Sequence, residues 1–341
     1  MVVPVLPGQK RCAIVGVAGF YPGGMGEIIE GSRGGNVFVG MEMGFQMAVV
    51  EVYRFRSEGR PFGSLLLIND MDASSKQYDV VVAGGGLAGL ALSIQLARAG
   101  YAVALFEKER YPYHKVCGEY ISLESWNFLE ELGLPLSDWN LPIIHKLMLS
   151  APDGGTIEQE LPLGGFGISR YKIDAALAEI ARSEGVELHE SVKVTDMVFE
   201  RSAFSTSTSA GKFSSTVACA TYGKRSNLDI KWRRPFTRKK SDLLNNYIGV
   251  KYHVRTDIAA DLIGLHHFKD GYCGISRIED GLCCLCYMTK AGNLRASGNS
   301  IPEMEKNIVR QNRFLEEIFS TAVFHFPQAV TISQISFEKR A

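Results

Sequence analysis

Residues 78–107 read YDVVVAGGGLAGLALSIQLARAGYAVALFE, and this stretch decides the fold. Residues 78–83 are a short apolar, β-branched run of the kind a strand covered on both faces requires. The run breaks at Gly84-Gly85-Gly86. Residues 87–99 then carry apolar side chains at helical spacing and end on Gly100, a residue suited to a C-cap. Residues 102–106 predict a second strand, closed by Glu107. Strand, turn, helix and strand thus fill about 30 residues, with Gly84-x-Gly86-x-x-Gly89 at the first turn. Gly84 permits the tight turn, Gly86 lets the backbone approach a pyrophosphate, and Gly89 lets helix and strand pack closely. The helix start, Leu87 and Ala88, presents free N–H groups and the positive end of the dipole to phosphates. Glu107 is placed to accept from a ribose diol and to repel a 2′-phosphate, with Lys108 beside it. Together these residues predict a dinucleotide site. The glycines alone do not separate FAD from NAD.

The rest of the chain sets bounds around that unit. At 341 residues it has room for about two domains, and 46% apolar with 22% charged residues is ordinary for a globular protein. Lysine plus arginine equals aspartate plus glutamate, 37 against 37, so nothing supplies the cationic surplus that nucleic-acid binding needs. No apolar run reaches the length of a membrane span, and no internal repeat is visible. The opening MVVPVLPGQKRC is too short in its apolar part for a signal peptide. Seven cysteines without a secretion signal suggest free thiols, so the expected location is the cytoplasm.

Residues 1–70 have a different character. They hold 13 of the 35 glycines, near twice an even share, and no amphipathic helix of useful length. Met71 then precedes a short polar lead and the first strand. Two readings stand: an extension foreign to the fold with Met71 as the natural start, which is the expectation here, or a small genuine N-terminal domain.

Residues 111–119, YPYHKVCGE, follow the nucleotide unit, and residues 122–132 have a helical pattern ending at Gly133. Further on, GISRYKIDAALAEIARSEG spans 167–185, where Ile173, Leu177, Ile180 and Ala181 form one apolar helical face. These segments resemble the geranylgeranyl reductase-like group of FAD-dependent oxidoreductases, within the p-hydroxybenzoate hydroxylase-type flavoprotein superfamily. The resemblance implies FAD as cofactor. It implies that Lys115-Val116-Cys117-Gly118 lies beside the flavin and that Arg170 and Asp174 open a helix of the cofactor domain. It also implies that Val194, in the strand of residues 192–197, marks a backbone segment against adenine. Where the superfamily often has Asp-Gly-x-x-Ser near flavin and nicotinamide, this chain has Tyr222-Gly223-Lys224-Arg225-Ser226. With tyrosine in the aspartate's place, two electron donors stay open: NAD(P)H, or a protein carrier such as a ferredoxin or another flavoprotein. The group's closing Gly-Asp-Ala segment has no counterpart after residues 329–335, so the expectation is a chain truncated before its last cofactor contact.

The substrate half reads as antiparallel sheet. Residues 147–161 predict a hairpin about Asp153-Gly154-Gly155, residues 247–254 alternate as a strand does, and residues 272–288 predict a hairpin about Glu279-Asp280-Gly281. Pro302, Met304, Ile308, Phe314 and Ile318 mark one later helix. Gly271-Tyr272-x-Gly274 resembles part of the aromatic motif of prenyl reductases, but the tryptophan and Phe-Pro expected beside it are missing, so a prenyl substrate does not follow. Cys283, Cys284 and Cys286 read as packed strand residues rather than a zinc set, because neighbours on a strand face opposite sides. His266-His267 read as core or solvated histidines rather than a base pair, and the basic run of residues 231–240 as a solvated loop. Cys117 has two readings of equal standing: a thiol that protonates a substrate carbon as hydride leaves flavin N5, or a small residue packed against the ring.

The sequence therefore predicts an α/β protein, a Rossmann-like FAD-binding domain interleaved with an antiparallel β-sheet substrate domain. The expected boundaries are 71–145 and 165–230 for the FAD-binding domain, 146–164 and 231–300 for the substrate domain, and 301–341 for a helix and strand leading to the missing segment. The expected function is an FAD-dependent oxidoreductase passing hydride through flavin N5 to or from a small apolar organic molecule. A flavin monooxygenase or halogenase, and an inactive truncated fragment, are the alternatives. The expected partners are the substrate and, as one option, an electron-donor protein.

Overall fold

A computed structural model describes residues 76–200, 202–223, 226–237 and 246–337, and ahead of them the backbone of four strands, Ile14–Gly16, Ser32–Arg33, Asn36–Met43 and Gln46–Val52. Met71, Lys224, Arg225 and the end of the basic run, residues 238–240, lie outside the described residues. The chain divides into two compact units, residues 1–111 with 177–232, and residues 112–176 with 233–341.

The first unit is built on parallel strands. Val103–Phe106 lies between Glu187–His189 and Gln77–Ala83, and Gln77–Ala83 in turn pairs with Gly211–Ala220. The β-branched run of residues 80–82 is buried on both faces, as its composition requires. One face packs Tyr78, Val81, Ala104 and Phe106 against Phe213, and Phe106 also stacks on His189 at 4.6 Å. The helix Leu87–Arg98 crosses over, and Gly100 closes it with φ +85°. Gly211–Ala220 is longer than its neighbours. Its first half joins an antiparallel meander with Ala203–Thr208 and Val194–Glu200, and its last three residues pair in parallel with Ile14–Gly16. Part of the region expected to be foreign to the fold thus adds a strand to this sheet. The meander leaves the far end of Gly211–Ala220 unpaired on that side, and the N-terminal strand fills the place. Phe106, Ala83, Ala220 and Gly16 stand level in register.

The second unit is a largely antiparallel sheet, in the order Tyr247–Arg255, Cys283–Lys290, Gly271–Arg277, Leu262–Phe268, Ile143–Ser150, Thr156–Gly167 and Tyr120–Ser122. The two hairpins expected from Asp153-Gly154-Gly155 and Glu279-Asp280-Gly281 both form. Two boundaries differ from expectation. Residues 112–145 and 165–176 belong here and not with the nucleotide unit, because Tyr120–Ser122 and Ile143–Ser150 both pair with the long strand Thr156–Gly167. The single late helix is two, Ile301–Asn307 and Arg313–Thr321, separated by a tight turn where Asn312 caps the second. Residues 330–335 form a strand, as expected, and pair antiparallel with Tyr247–Arg255. The core beneath holds Val250, Val254, Ile275, Leu285, Tyr287, Met304 and Leu315. Among the described residues no helix is long and apolar enough to cross a membrane.

Candidate cofactor site

The parallel strands of the first unit end at one edge, and the glycine turn begins there. Gly84 has φ +110°, and a Cβ on it would stand 2.6 Å from the Tyr222 Cα, so both its angle and its surroundings demand glycine. A Cβ on Gly89 would lie 2.0 Å from the Gly84 carbonyl oxygen, the close helix-to-turn approach expected of it. Gly86 is the N-cap of Leu87–Arg98, and no side chain caps that helix, so the first-turn N–H groups at Leu87 and Ala88 face no internal acceptor side chain. Glu107 is 6% exposed, accepting from the Gly85 N–H at 2.8 Å through one oxygen and from the Glu109 N–H at 3.1 Å through the other. A carboxylate has about four lone-pair directions, so capacity is left for a diol. Lys108 points to solvent and pairs with Glu109 at 3.4 Å.

Three further residues of this edge were not legible in the sequence. The Thr221 hydroxyl donates to the Gly84 carbonyl at 2.7 Å, and its N–H donates to Ala83 at 2.9 Å. The Tyr111 hydroxyl donates to the Gly85 carbonyl. His189 closes the edge, its carbonyl accepting from the Glu107 N–H at 2.9 Å. A threonine directly after a parallel strand is the one signal that sequence offers for this group. Val194 begins its strand and packs against two neighbouring clusters of buried residues in this unit. The Tyr222 hydroxyl donates to Asp229 at 2.9 Å, and Gly223 follows with φ +76° in open surroundings.

Within the second unit, Lys115, Cys117, Gly118 and Arg170 come together. Arg170 grips Asp174 with two nitrogens at 2.8 and 2.9 Å, and the Lys115 ammonium reaches the same carboxylate at 3.0 Å. Burial opposes the Arg170 charge, but Asp174 and then Cys117 outweigh it and hold the guanidinium pKa above its ordinary value. Cys117 is half-buried, and a Cβ on Gly118 would meet nothing, so this turn borders open space. Behind it lies a group that sequence reasoning missed: Glu119, Lys251 and His253, each no more than 3% exposed. The alternation of residues 247–254 was visible, but it gives no sign that the face carrying Lys251 and His253 is buried.

The remaining candidates separate. His266 is buried with Nδ1 2.8 Å from the Ser150 hydroxyl, whereas His267 is exposed on the other face of its strand, so the two form no pair. Cys283 enters the core while Cys284 faces the Cys117 turn. Burial pushes the Cys284 thiol well up and the Cys286 thiol up to about 12, which keeps both neutral. In the basic run, Lys231 pairs with Asp196 at 2.5 Å.

Residues 77–210 match the FAD binding domain family. The fold is similar to that of solved flavoproteins. The chain is 26% identical over 174 residues to conditioned medium factor receptor 1 of Dictyostelium discoideum, covering 47% of this chain and 34% of that protein. It is 28% identical over 130 residues to a menaquinone reductase of Mycolicibacterium smegmatis, covering 36% and 31%. The matched region is thus about a third of these relatives' own length. Among solved structures it is similar to the flavin-dependent halogenase CmlS, with TM-score 0.64 and 17% identity over 76% of this chain and 50% of that one. A flavoprotein/dehydrogenase from Cytophaga hutchinsonii superimposes with TM-score 0.61 and 17% identity over 76% and 66%. The uncapped helix start, the turn that tolerates no Cβ and the buried acid at the second strand's tip fit the adenosine-diphosphate part of such a cofactor.

Proposed function

We propose that the chain is an FAD-dependent oxidoreductase of the reductase or dehydrogenase type, acting on an apolar organic substrate. The observation that carries this reading is the Gly84–Gly89 turn with Glu107 folded against it, in a segment that matches the FAD binding domain family. FAD, when bound, supplies the hydride and electron chemistry. The protein's part is to hold and orient it. The N–H groups at Leu87 and Ala88 and the helix dipole offset pyrophosphate charge, and Glu107 takes the ribose diol. Gly84 and Gly89 keep the turn free of side chains, and Thr221 and Tyr111 fix its carbonyls.

The segments Lys115–Gly118 and Arg170–Asp174 support the geranylgeranyl reductase-like group as the branch, with Cys117 as a candidate proton donor. Relatives named menaquinone reductase support a quinone-like acceptor with an electrophilic ring. The donor is either NAD(P)H or a protein carrier, since Tyr222 stands where an aspartate is common. Structural likeness to halogenases supports a second reading, an FAD-dependent monooxygenase or halogenase.

The test is made on the full-length chain loaded with FAD, chemically reduced without oxygen and mixed with a soluble naphthoquinone. Return of the oxidised flavin spectrum with formation of the quinol is the expected result. Reoxidation by oxygen in the presence of an electron-rich aromatic compound and a halide, with an oxygenated or halogenated aromatic product rather than hydrogen peroxide alone, favours the second reading. No reoxidation by either overturns both.

A further inference from the structure

The Glu119 carboxylate is the hub of a buried network. One oxygen accepts from the Lys251 ammonium and from the Arg170 backbone N–H at 2.7 Å, and the other lies 2.6 Å from His253 Nε2. Burial alone would raise the Glu119 pKa, but the His253 hydrogen bond and the Lys251 charge outweigh it and hold the carboxyl below its ordinary value. Lys251 is fully buried and, besides Glu119, donates to the Lys115 carbonyl at 3.1 Å. The Cys284 thiol donates to the Cys117 carbonyl at 3.3 Å. Glu119 itself has φ +56°, and its carbonyl accepts from the Ile168 N–H at 3.0 Å. The network therefore grips the backbone of the Lys115–Gly118 turn from one side, while the Cys117 side chain is half-buried beside Arg170 and Gly118 is exposed.

Burying an ammonium and a carboxylate costs several kcal/mol each, and well-packed apolar residues of similar volume often stabilise as much. What apolar residues cannot do is donate to the carbonyls of a turn. Glu119, His253 and Cys284 also place their ligand atoms within 4.8 Å of one another, a set able to hold a metal. Lys251 already brings a cation to that carboxylate, and the Cys284 thiol is held protonated, so the metal reading loses both its charge and a ligand.

We infer that Glu119, Lys251 and His253, together with the Cys284 thiol, form a positioning unit that fixes the Lys115–Gly118 turn and thereby the exposure of Cys117. Lys251 acts on the turn directly, and Glu119 and His253 act by holding Lys251 in place. This inference does not rest on the flavin reading, and its test uses the full-length chain without added flavin.

The measured quantities are the melting temperature and the rate at which iodoacetamide alkylates Cys117, followed by peptide mass. The double variant Lys251→Met/Glu119→Gln keeps the volume and the net charge but removes the donor to Lys115. It is expected to stay folded while Cys117 alkylates about fivefold faster or more, as a loosened segment does. Lys251→Arg, which keeps a cation and a donor, is expected within about twofold of the parent. Should the double variant not fold, Cys284→Ala removes the thiol tether and leaves every charge in place, with a rise of about twofold or more expected. An unchanged Cys117 rate in the folded double variant, or in Cys284→Ala if that variant carries the test, overturns the inference and leaves the network a balance of buried charge.

Discussion

At the scale of single residues, Glu107 and His266 make opposite demands on their surroundings. Glu107 is buried yet bonded through both oxygens to backbone N–H groups, so Glu107→Ala leaves the Gly85 N–H without its acceptor at the mouth of the site. FAD affinity is expected to fall about tenfold or more, roughly the value of a charge-assisted hydrogen bond; equal affinity in an equilibrium titration would contradict the role. His266 is held neutral: burial first, and then the charge of His267, lower its pKa from 6.5 to about 4. Its folded value lies below its unfolded value, so between those limits the unfolded chain binds more protons. Stability is then flat above about pH 6.5 and is lost as pH falls toward about 4, by up to about 3 kcal/mol from this one group. His114, lowered to about 4 by burial and then by Lys251 and His253, adds to the same window. Melting curves from neutral pH downward should show the loss, and His266→Gln should reduce it; a flat profile in the parent chain would contradict the assignment.

At the scale of elements, one carboxylate joins two strands and a helix of the second unit. Glu305, on Ile301–Asn307, accepts from the Tyr252 hydroxyl at 3.0 Å and the Tyr287 hydroxyl at 2.8 Å. Burial raises its pKa, partly offset by those two bonds. Glu305→Leu leaves two phenols buried without an acceptor, and a loss of about 2–5 kcal/mol is expected in denaturant unfolding. Tyr252→Phe, which removes one bond, should cost about 1 kcal/mol. Equal effects from the two variants would show that the helix does not depend on this junction. The sequence showed these strands and both hairpins, because period-two alternation and Asp-Gly turns are local signals. It did not show that Tyr252, Tyr287 and Glu305 meet, nor that Lys251 and His253 share a buried face with Glu119. Those are contacts across 18 to 134 residues, and no local period reports them. The break between the two late helices was missed for a similar reason. Asn312 caps one helix while its amide also binds Ser150, and that second bond is long-range.

At the scale of the whole molecule, the nucleotide unit was the most legible part, since its glycines, helix and acid all lie within one short stretch. The least legible was the N-terminal region. Its glycine content suggested chain foreign to the fold, yet Ile14–Gly16 extends the parallel sheet with Gly16 level with Ala83. Only pairing with Gly211–Ala220, about 200 residues later, reveals it. In a parallel ladder alternate residues turn their N–H groups toward a given neighbour, so one of Ile14→Pro and Val15→Pro must break the pairing. That variant should melt a few degrees lower and hold FAD less well; if neither variant changes melting or FAD binding, the strand contributes nothing to the unit. The central claim, that the Gly84–Gly89 turn binds FAD by its pyrophosphate, is tested most directly by titrating FAD into the flavin-free full-length chain and its Gly86→Val variant. The expected result is one FAD bound per chain, competed by ADP, with affinity lost by about 100-fold or more in the variant, equivalent to about 2.7 kcal/mol. Undiminished FAD binding in Gly86→Val, or no competition by ADP, would contradict it.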